Sequence, residues 1–344
     1  MRYRFFTNSE RAWRAMFKEI ESSKEYIYLE MYIFTNDMIQ YDFLVLLKEK
    51  AAQGVRVRII LDSFGSRALN NGVITELRES GAEVFFLNYF FHRMHRKILV
   101  VDGKRAFIGG VNLSQRFRFW DDLVVEVKGK RLLRRIVCSF SRVYTECGGT
   151  DKDILSQNKK LALYKTRTWL IEHFPRGKKY NLKKIYKERL GNAKETIVLI
   201  TPYFMPKRWF IKTVRRAVLR GVRVEILVPK VTNHFFADRV GYFFMFKLSR
   251  MGVHFYLLPK MNHAKAMIID SKEGMVGSNN LDFLSFEFNS EVGIFFTEPN
   301  EVVKLVEILA NWKKEAVLFD FSIYRPKLFD YFLSPIIRLF ARIF

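Results

Sequence analysis

The chain has 344 residues, of which 49% are hydrophobic, and its low content of glycine (18) and proline (8) excludes a disordered or collagen-like protein. Lysine and arginine outnumber the acidic residues 59 to 35, which gives a formal net charge of +24. Such an excess favours a polyanionic partner, either nucleic acid or an anionic membrane surface, and the 34 phenylalanines favour the membrane, because aromatic residues beside Lys and Arg are typical of interfacial contact.

The N-terminal sequence has no apolar stretch followed by a small-residue cleavage site, so we expect no signal peptide. We also expect no transmembrane helix, because no run of about 18 apolar residues occurs. Cys138 and Cys147 are the only cysteines, and their spacing in a predicted helix suits neither zinc nor a disulfide framework. We therefore expect a peripheral protein at the cytoplasmic face of the cell membrane, where anionic lipids attract basic residues and thiols stay reduced.

In chain order, the first strong signal is an apolar run at 26–34, which predicts a strand. The segment FLVLLKEKAAQG that follows at 43–54 predicts an amphipathic helix ending at Gly54, where a left-handed cap belongs. A β-rich run, a second helix and another strand come next. Near-continuous apolar strands that alternate with helices predict an α/β fold with a covered sheet.

The second half of the chain repeats this order. GVRVRIILD from Gly54 matches GVRVEILVP from Gly221, and GAEVFFL further on matches GVHFYLL. HRKILVVDGKRAFIGGVN from His95 then matches HAKAMIIDSKEGMVGSNN from His263. Three matches in the same order indicate an internal duplication, so we predict two similar α/β lobes packed face to face.

The duplication also predicts the domain boundaries. We assign residues 1–147 to the first lobe, 148–194 to a basic connecting region, 195–330 to the second lobe and 331–344 to a C-terminal amphipathic segment. The C-terminal segment has one apolar helical face, which predicts docking either at a bilayer interface or on the protein's own core.

A second aromatic segment lies at 233–252, and it is too apolar for a polar loop. It predicts either a buried helix or a groove for acyl chains beside His263. The side chains that would line this groove are Phe235, Phe236, Phe243, Phe244 and Phe246.

A sequence motif H-x-K-x₄-D occurs once in each repeat. Its residues, which we predict to be catalytic, are His95, Lys97 and Asp102, and His263, Lys265 and Asp270. On a strand, alternation places the His and Lys of each motif on one face and the residue between them, Arg96 in the first motif, on the other. Transfer of a phosphodiester needs a nucleophile, an acid and positive charge, and two imidazoles with two ammonium groups supply these.

Other residues recur in register and predict phosphate binding. Asn112 and Asn280 can donate amide hydrogen bonds, and the small residues Gly110 and Ser278 would let the backbone approach a phosphate. Because neither half carries a complete set of catalytic groups, we expect one shared active site between the lobes. The sequence predicts no metal and no cofactor.

These residues resemble the phospholipase D superfamily, and within it most closely the bacterial cardiolipin synthases. The resemblance also includes EMYIF at 30–34, VRIILDSFGSR at 57–67, TPYFMP at 201–206 and GSNNLDFLSFEFNSEVG at 277–293. It implies that one histidine forms a covalent phosphohistidine, while the other protonates the leaving alcohol and then activates the acceptor. By the same resemblance His95 is the nucleophile and His263 the acid. Asp122 and Glu291 would each support a catalytic histidine through its second ring nitrogen.

The resemblance implies a phosphatidyltransferase that converts two phosphatidylglycerol molecules into cardiolipin and glycerol at an anionic membrane. Two alternatives stay open. Water could resolve the phosphohistidine, which would make the protein a phospholipase D that hydrolyses phospholipids. A nuclease of the same superfamily would instead use the basic surface to track a phosphate backbone, but the flanking motifs favour lipid over nucleic acid.

Overall fold

The computed structural model describes residues 2–88, 92–157, 167–175 and 181–326. The predicted C-terminal amphipathic segment, 331–344, lies outside these residues. Strands and helices alternate along the described chain, which confirms the predicted α/β class.

Within its described residues, the first lobe contains a single sheet and four long helices. Its elements are β1 (Arg2–Asn8), α1 (Ser9–Glu21), β2 (Tyr26–Met31), α2 (Phe43–Ala52), β3 (Arg56–Asp62), α3 (Asn71–Glu79), β4 (Glu83–Leu87), β5 (Ile98–Val101), β6 (Arg105–Gly109), β7 (Asp121–Lys128) and α4 (Lys130–Glu146). A short helix, α5 (Lys152–Ser156), follows it.

The second lobe repeats this order with small additions. Its elements are β8 (Thr168–His173), α6 (Asn181–Asn192), β9 (Thr196–Ile200), β10 (Phe204–Met205), α7 (Arg208–Leu219), β11 (Arg223–Pro229), α8 (Phe235–Ser249), β12 (Val253–Leu258), β13 (Ala266–Ile269), β14 (Glu273–Gly277), β15 (Leu281–Asp282), α9 (Phe283–Glu287), β16 (Glu291–Phe296), α10 (Pro299–Lys314) and β17 (Val317–Leu318).

The two large sheets have the same topology, which confirms the internal duplication. The first has the strand order β4-β3-β2-β5-β6-β7-β1, and the second has β12-β11-β9-β13-β14-β16-β8 with β17 added beside β12. In each sheet three strands are parallel and the remaining four of the shared order are antiparallel. Strand β8 and helix α6 fall within the predicted connecting region, 148–194, and yet belong to the second sheet and its helical layer.

The helices before β3 and β11 end as their sequences predict. Gly54 and Gly221 have φ angles of 86° and 84°, the left-handed conformation that reverses the chain from a helix into the next parallel strand. At the other end of α2, the Asp42 side chain accepts the backbone N–H groups of Leu44 and Val45 and caps the first turn.

Alternation along the central strands explains how the lobes pack. Tyr28, Ile98 and Val100 face a core that also contains the inner face of the second sheet and side chains of α4 and α10. Their neighbours Leu29 and Leu99 face the opposite way, onto α1, α2 and α3. An equivalent outer layer of α6, α7 and α8 covers the second sheet. The inner faces of the two sheets therefore share one core, as predicted, and β6 and β7 meet β14 and β16 at the lobe junction.

Candidate active site

Both H-x-K segments lie in extended backbone immediately before a central strand, β5 or β13. Each segment is hydrogen-bonded to the opposite lobe. The backbone N–H of His95 donates to the Ser290 carbonyl at 2.9 Å, and the backbone N–H of His263 donates to the Asp121 carbonyl at 2.6 Å. These bonds hold both histidines at the junction of the two sheets.

The carboxylate partner of each histidine comes from the other lobe. Nδ1 of His95 lies 3.0 Å from both carboxylate oxygens of Glu291, and Nδ1 of His263 lies 2.9 Å from Oδ2 of Asp122. We call His95–Glu291 and His263–Asp122 the crossed pairs. All four side chains are buried. A bond at Nδ1 fixes the ring orientation and leaves Nε2 for chemistry.

The two motif lysines lie beside the crossed pairs. Nζ of Lys97 donates to the His95 carbonyl at 2.8 Å, and Nζ of Lys265 donates to the carbonyl of His263. Burial lowers the pKa of each lysine to about 7, because the charged form is desolvated. An incoming phosphate would favour the charged form of both, so the lysines are suited to hold its non-bridging oxygens.

The two crossed pairs differ in how they hold protons. Burial, with Lys97 nearby, lowers the pKa of His95 to about 4. Burial acts against ionisation of Glu291, but the His95 ring and Lys97 still hold the pKa of that carboxyl below its ordinary value. In the other pair, burial raises the pKa of Asp122 to about 7, and burial and Lys265 hold the pKa of His263 well below its ordinary value. Near neutral pH the His263–Asp122 pair can therefore hold one more proton than the His95–Glu291 pair.

The residue between each His and Lys points away from the site, as the alternation predicts. Nε of Arg96 donates to Oε2 of Glu30 at 2.6 Å, and its Nη2 donates to Oγ of Ser139 on α4 at 2.8 Å. Arg96 and Glu30 are fully buried, so each needs the other to offset the cost of desolvation. The equivalent residue in the second motif is Ala264, which lies in the core between the lobes.

The structure does not bring Asp102 and Asp270 to this site. Each lies at the far end of the strand that follows its motif, about 20 Å along the chain at the usual rise of a strand. The Asp102 carboxylate accepts backbone N–H groups of Lys24, Glu25 and Tyr26, and Asp270 does the same for 194–196. Both aspartates have positive φ angles, 49° and 51°, so they hold a tight turn rather than contact the reacting groups.

The predicted phosphate-binding residues divide into two kinds. Oδ1 of Asn112 accepts the Ile33 N–H at 3.3 Å, and Nδ2 of Asn280 donates to Asp282 at 3.2 Å, so each amide is held by a neighbouring group. Gly110 and Ser278 instead contact the carboxylates of the crossed pairs. The Ser278 hydroxyl donates to Glu291.

At Gly110, the equivalent position in the first repeat, an added methyl group would overlap Oδ1 of Asp122. Small residues are therefore required here by the carboxylates and not only by an approaching phosphate.

Three aromatic rings that we did not include among the site residues surround the histidines. Tyr32 packs edge-on against His95 with ring centroids 4.8 Å apart, and Tyr203 and Trp120 lie 6.3 Å and 5.6 Å from His263. The repeat contained only part of this signal, because Tyr203 in TPYF aligns with Ile33 of EMYIF, and Tyr32 lies one position earlier.

Within the described residues, no group of three or more His, Cys, Asp or Glu side chains is arranged to ligate a metal ion. None of the helices in this part of the chain combines the length and the hydropathy needed to cross a bilayer. Cys138 is buried and Cys147 half-buried, and both are free thiols, as predicted.

A duplicated α/β fold with two H-x-K segments meeting at the lobe junction defines the phospholipase D class of proteins. The family described as "Cardiolipin synthase, PLD-like domain" matches the chain twice, at residues 16–144 and 186–313. The chain belongs to this family.

Two curated relatives and one solved structure illustrate the similarity. A cardiolipin synthase of Geobacillus kaustophilus is 31% identical over 94% of this chain and 68% of its own length. The probable cardiolipin synthase YwiE of Bacillus subtilis is 28% identical over 87% of this chain and 63% of its own length. The crystal structure of phosphatidylserine synthase from Haemophilus influenzae Rd KW20 is similar in fold, with a TM-score of 0.77 at 14% identity over 98% of this chain and 93% of that one.

Proposed function

We propose that this protein is a phosphatidyltransferase that converts two phosphatidylglycerol molecules into cardiolipin and glycerol through a phosphohistidine. The observation that carries the proposal is the pair of crossed His–carboxylate contacts, because they present two oriented imidazoles to one phosphate position between two buried lysines. The curated relatives that are named cardiolipin synthase support the same reaction.

In the first half-reaction, Nε2 of His95 attacks the phosphorus of a phosphatidylglycerol. The bond between phosphorus and the glycerol oxygen breaks, and His263 gives that oxygen a proton, so glycerol leaves neutral. Lys97 and Lys265 bind the non-bridging oxygens as charge develops on them.

In the second half-reaction, neutral His263 takes the proton from a hydroxyl group of a second phosphatidylglycerol. The freed oxygen attacks phosphorus, the bond between phosphorus and Nε2 of His95 breaks, and cardiolipin leaves. Water in place of the second lipid would give phosphatidic acid, so the identity of the acceptor decides between a transferase and a hydrolase.

The pKa values of the groups in the two crossed pairs support His95 as the nucleophile. With a pKa of about 4, His95 is neutral at pH 7 and its lone pair is available. The Asp122 carboxyl, whose pKa burial raises to about 7, gives the other pair a proton to deliver to the leaving group through His263.

The basic surface supports a membrane partner for this reaction. We propose that the protein acts at the cytoplasmic face of an anionic membrane and takes its lipids from there, because its net charge of +24 attracts anionic headgroups. Phosphatidylglycerol would then serve both as substrate and as part of the binding surface.

The test is incubation of the purified protein with phosphatidylglycerol vesicles, followed by mass spectrometry of the lipids and an assay for free glycerol. We expect cardiolipin and glycerol in equal amounts, and no product from His95→Ala. The matched control is His254→Ala, because His254 is exposed on β12. Phosphatidic acid as the main product would replace the transferase by a hydrolase. Cleavage of single-stranded DNA without any lipid turnover would contradict the proposal.

A further inference from the structure

The most exposed large apolar side chains of the described residues lie close to strand ends in both lobes. Ile39, Phe119 and Phe235 expose 84%, 81% and 80% of their surface, the three highest values among large apolar residues in the described ranges. Ile39 follows β2, Phe119 precedes β7, and Phe235 begins α8 after β11. Three more exposed side chains occupy neighbouring positions: Phe64, Val231 and Phe236. We call these six residues the apolar ring.

This exposure divides the segment 233–252, because the buried-helix prediction holds for its second half only, and the predicted acyl-chain groove is not formed by the phenylalanines at its start. Phe244 is buried, and Phe246 packs against the same core, so the second half of α8 behaves as a buried helix. Phe235 and Phe236 at its start instead face solvent, and they therefore do not line an enclosed groove.

Contacts connect two members of the apolar ring to the acid histidine. Phe119 is followed by Trp120, whose ring centroid lies 5.6 Å from that of His263. Phe235 is preceded by His234, which lies 5.4 Å from Tyr203, and Tyr203 in turn packs against His263 at 6.3 Å. The sequence neighbours of the two exposed phenylalanines are thus connected to the same histidine, Trp120 directly and His234 through Tyr203.

The other side of the apolar ring lies beside the first lobe's motif. Phe64 follows Asp62, whose Oδ2 accepts the N–H of Met94, the residue before His95. Ile39 belongs to a loop that is fixed onto the segment before Trp120, because Asp37 accepts the N–H of Gln115 at 3.0 Å. These contacts place members of the apolar ring near both crossed pairs.

Cationic side chains stand between the exposed apolar ones. Arg67 and Arg93 lie over the Phe64 ring at 4.7 Å and 4.3 Å, and Arg118 lies over Phe119 at 5.3 Å. A surface with isolated aromatic residues among arginines is suited to the headgroup region of an anionic bilayer, where rings enter the acyl boundary and guanidinium groups bind phosphates.

We propose that the apolar ring is the bilayer-contacting surface of this protein, and that it seats the mouth of the active site directly on an anionic leaflet. This inference rests on the proposed function, because it takes the substrate to be a bilayer phospholipid. In this orientation a headgroup reaches His95 and His263 while its acyl chains stay among the lipids, so no enclosed acyl-chain pocket is needed.

The first test measures co-sedimentation with phosphatidylglycerol vesicles for Phe119→Ser/Phe235→Ser. We expect the double variant to bind about a hundredfold more weakly, because each buried phenylalanine contributes roughly tenfold to affinity. The control is Leu219→Ser, since Leu219 is 75% exposed at the end of α7, just before β11 begins, whereas Phe235 lies beyond the other end of that strand. Equal binding by the two variants would overturn the proposal.

A second measurement does not depend on loss of binding. Tryptophan at the ring position, in Phe119→Trp, should be quenched by brominated acyl chains, whereas Leu219→Trp should give no added quenching. Absence of quenching in Phe119→Trp on vesicles that bind the protein would also overturn the proposal.

Activity measurements on two forms of the substrate distinguish a failure of the docking surface from a failure of the proposed reaction. On short-chain phosphatidylglycerol below its micelle concentration, we expect the double serine variant to match the wild type, and on vesicles to lose most of its activity. Equal losses on both substrates would overturn the docking role. If Phe119→Trp is quenched on vesicles while the wild-type protein makes no cardiolipin there, the docking surface stands and the proposed reaction is refuted.

Discussion

The crossed pair in which Asp122 supports His263 allows a quantitative prediction for Asp122→Asn. The substitution keeps a carbonyl oxygen that can accept the Nδ1 proton of His263, now 2.9 Å from Asp122 Oδ2, and removes the negative charge. It also removes the carboxyl group that stores a proton up to a pH of about 7. We therefore expect slower protonation of the leaving glycerol.

The size of the effect follows from the geometry. Two unit charges 2.9 Å apart in an effective dielectric constant of about 20 attract by about 6 kcal/mol, which corresponds to about four powers of ten in rate. The neutral hydrogen bond that asparagine retains restores about 1 kcal/mol. We expect the first half-reaction to slow about a thousandfold or somewhat more.

The assay is a single-turnover measurement of phosphohistidine formation with two donors. Phosphatidylglycerol needs a proton for its leaving alkoxide, whereas a phosphatidyl ester of a nitrophenol does not. The Asp122→Asn variant should be slow with the first donor and nearly normal with the second. Asp121→Asn serves as the control, because Asp121 hydrogen-bonds to the opposite lobe through its backbone, which the substitution keeps.

A rate for Asp122→Asn within tenfold of the wild type on phosphatidylglycerol would refute the reasoning. Equal slowing with both donors would also refute it, because the carboxylate would then act on attack rather than on departure.

Three further predictions follow from the same site. With phosphatidylglycerol as donor, the rate of the first half-reaction should fall above a pH of about 7, because Asp122 loses its proton, and below a pH of about 4, because His95 gains one. A single-turnover pH profile that is flat between 5 and 9 would contradict this. Gly110→Ala should reduce turnover at least about tenfold with an unchanged circular dichroism spectrum, because its methyl group displaces Asp122, whereas Gly191→Ala, with no atom within 4 Å of the new methyl group, should be fully active. Asp102→Ala or Asp270→Ala should lower the free energy of unfolding, measured in urea, by about 1–3 kcal/mol, because the carboxylate no longer accepts hydrogen bonds from three backbone N–H groups. Turnover by the folded protein should not change, and a large loss of turnover at full stability would show that these aspartates act in the reaction.

The duplication was the most informative feature of the sequence, because a repeat predicts the fold and the site at once. The matched His95 and His263 segments implied one site between two lobes, and alternation correctly placed Arg96 on the opposite side. The sequence could not say that the partners would be exchanged. Alternation determines the face on which a side chain lies, but which carboxylate it meets depends on how two sheets dock.

Two sequence predictions differ from the structure, for Asp102 and for the phenylalanines of α8, and each difference has a physical cause. Asp102 is close to His95 in the motif, but an extended strand of about 3.3 Å per residue carries it to the other end of the sheet. Phe235 and Phe244 are alike in sequence and lie on one helix, yet one is 80% exposed and the other buried. Nine residues separate them, so at 3.6 residues per turn they lie on opposite faces of α8, and the face with Phe244 packs against the core of the second lobe. Because phenylalanines occur on both faces, the aromatic composition of the segment does not show which face is buried.

Because each catalytic histidine is oriented by a carboxylate of the other lobe, the order of synthesis determines when the protein can become active. Glu291 lies 196 positions after His95 along the chain, so the first lobe can fold during synthesis long before the carboxylate that orients its histidine exists. A chain interrupted between the repeats would still carry basic phosphate-binding groups, but its nucleophile would be unoriented. Catalytic competence is thus a property of the finished molecule, gained only when the two halves close on each other.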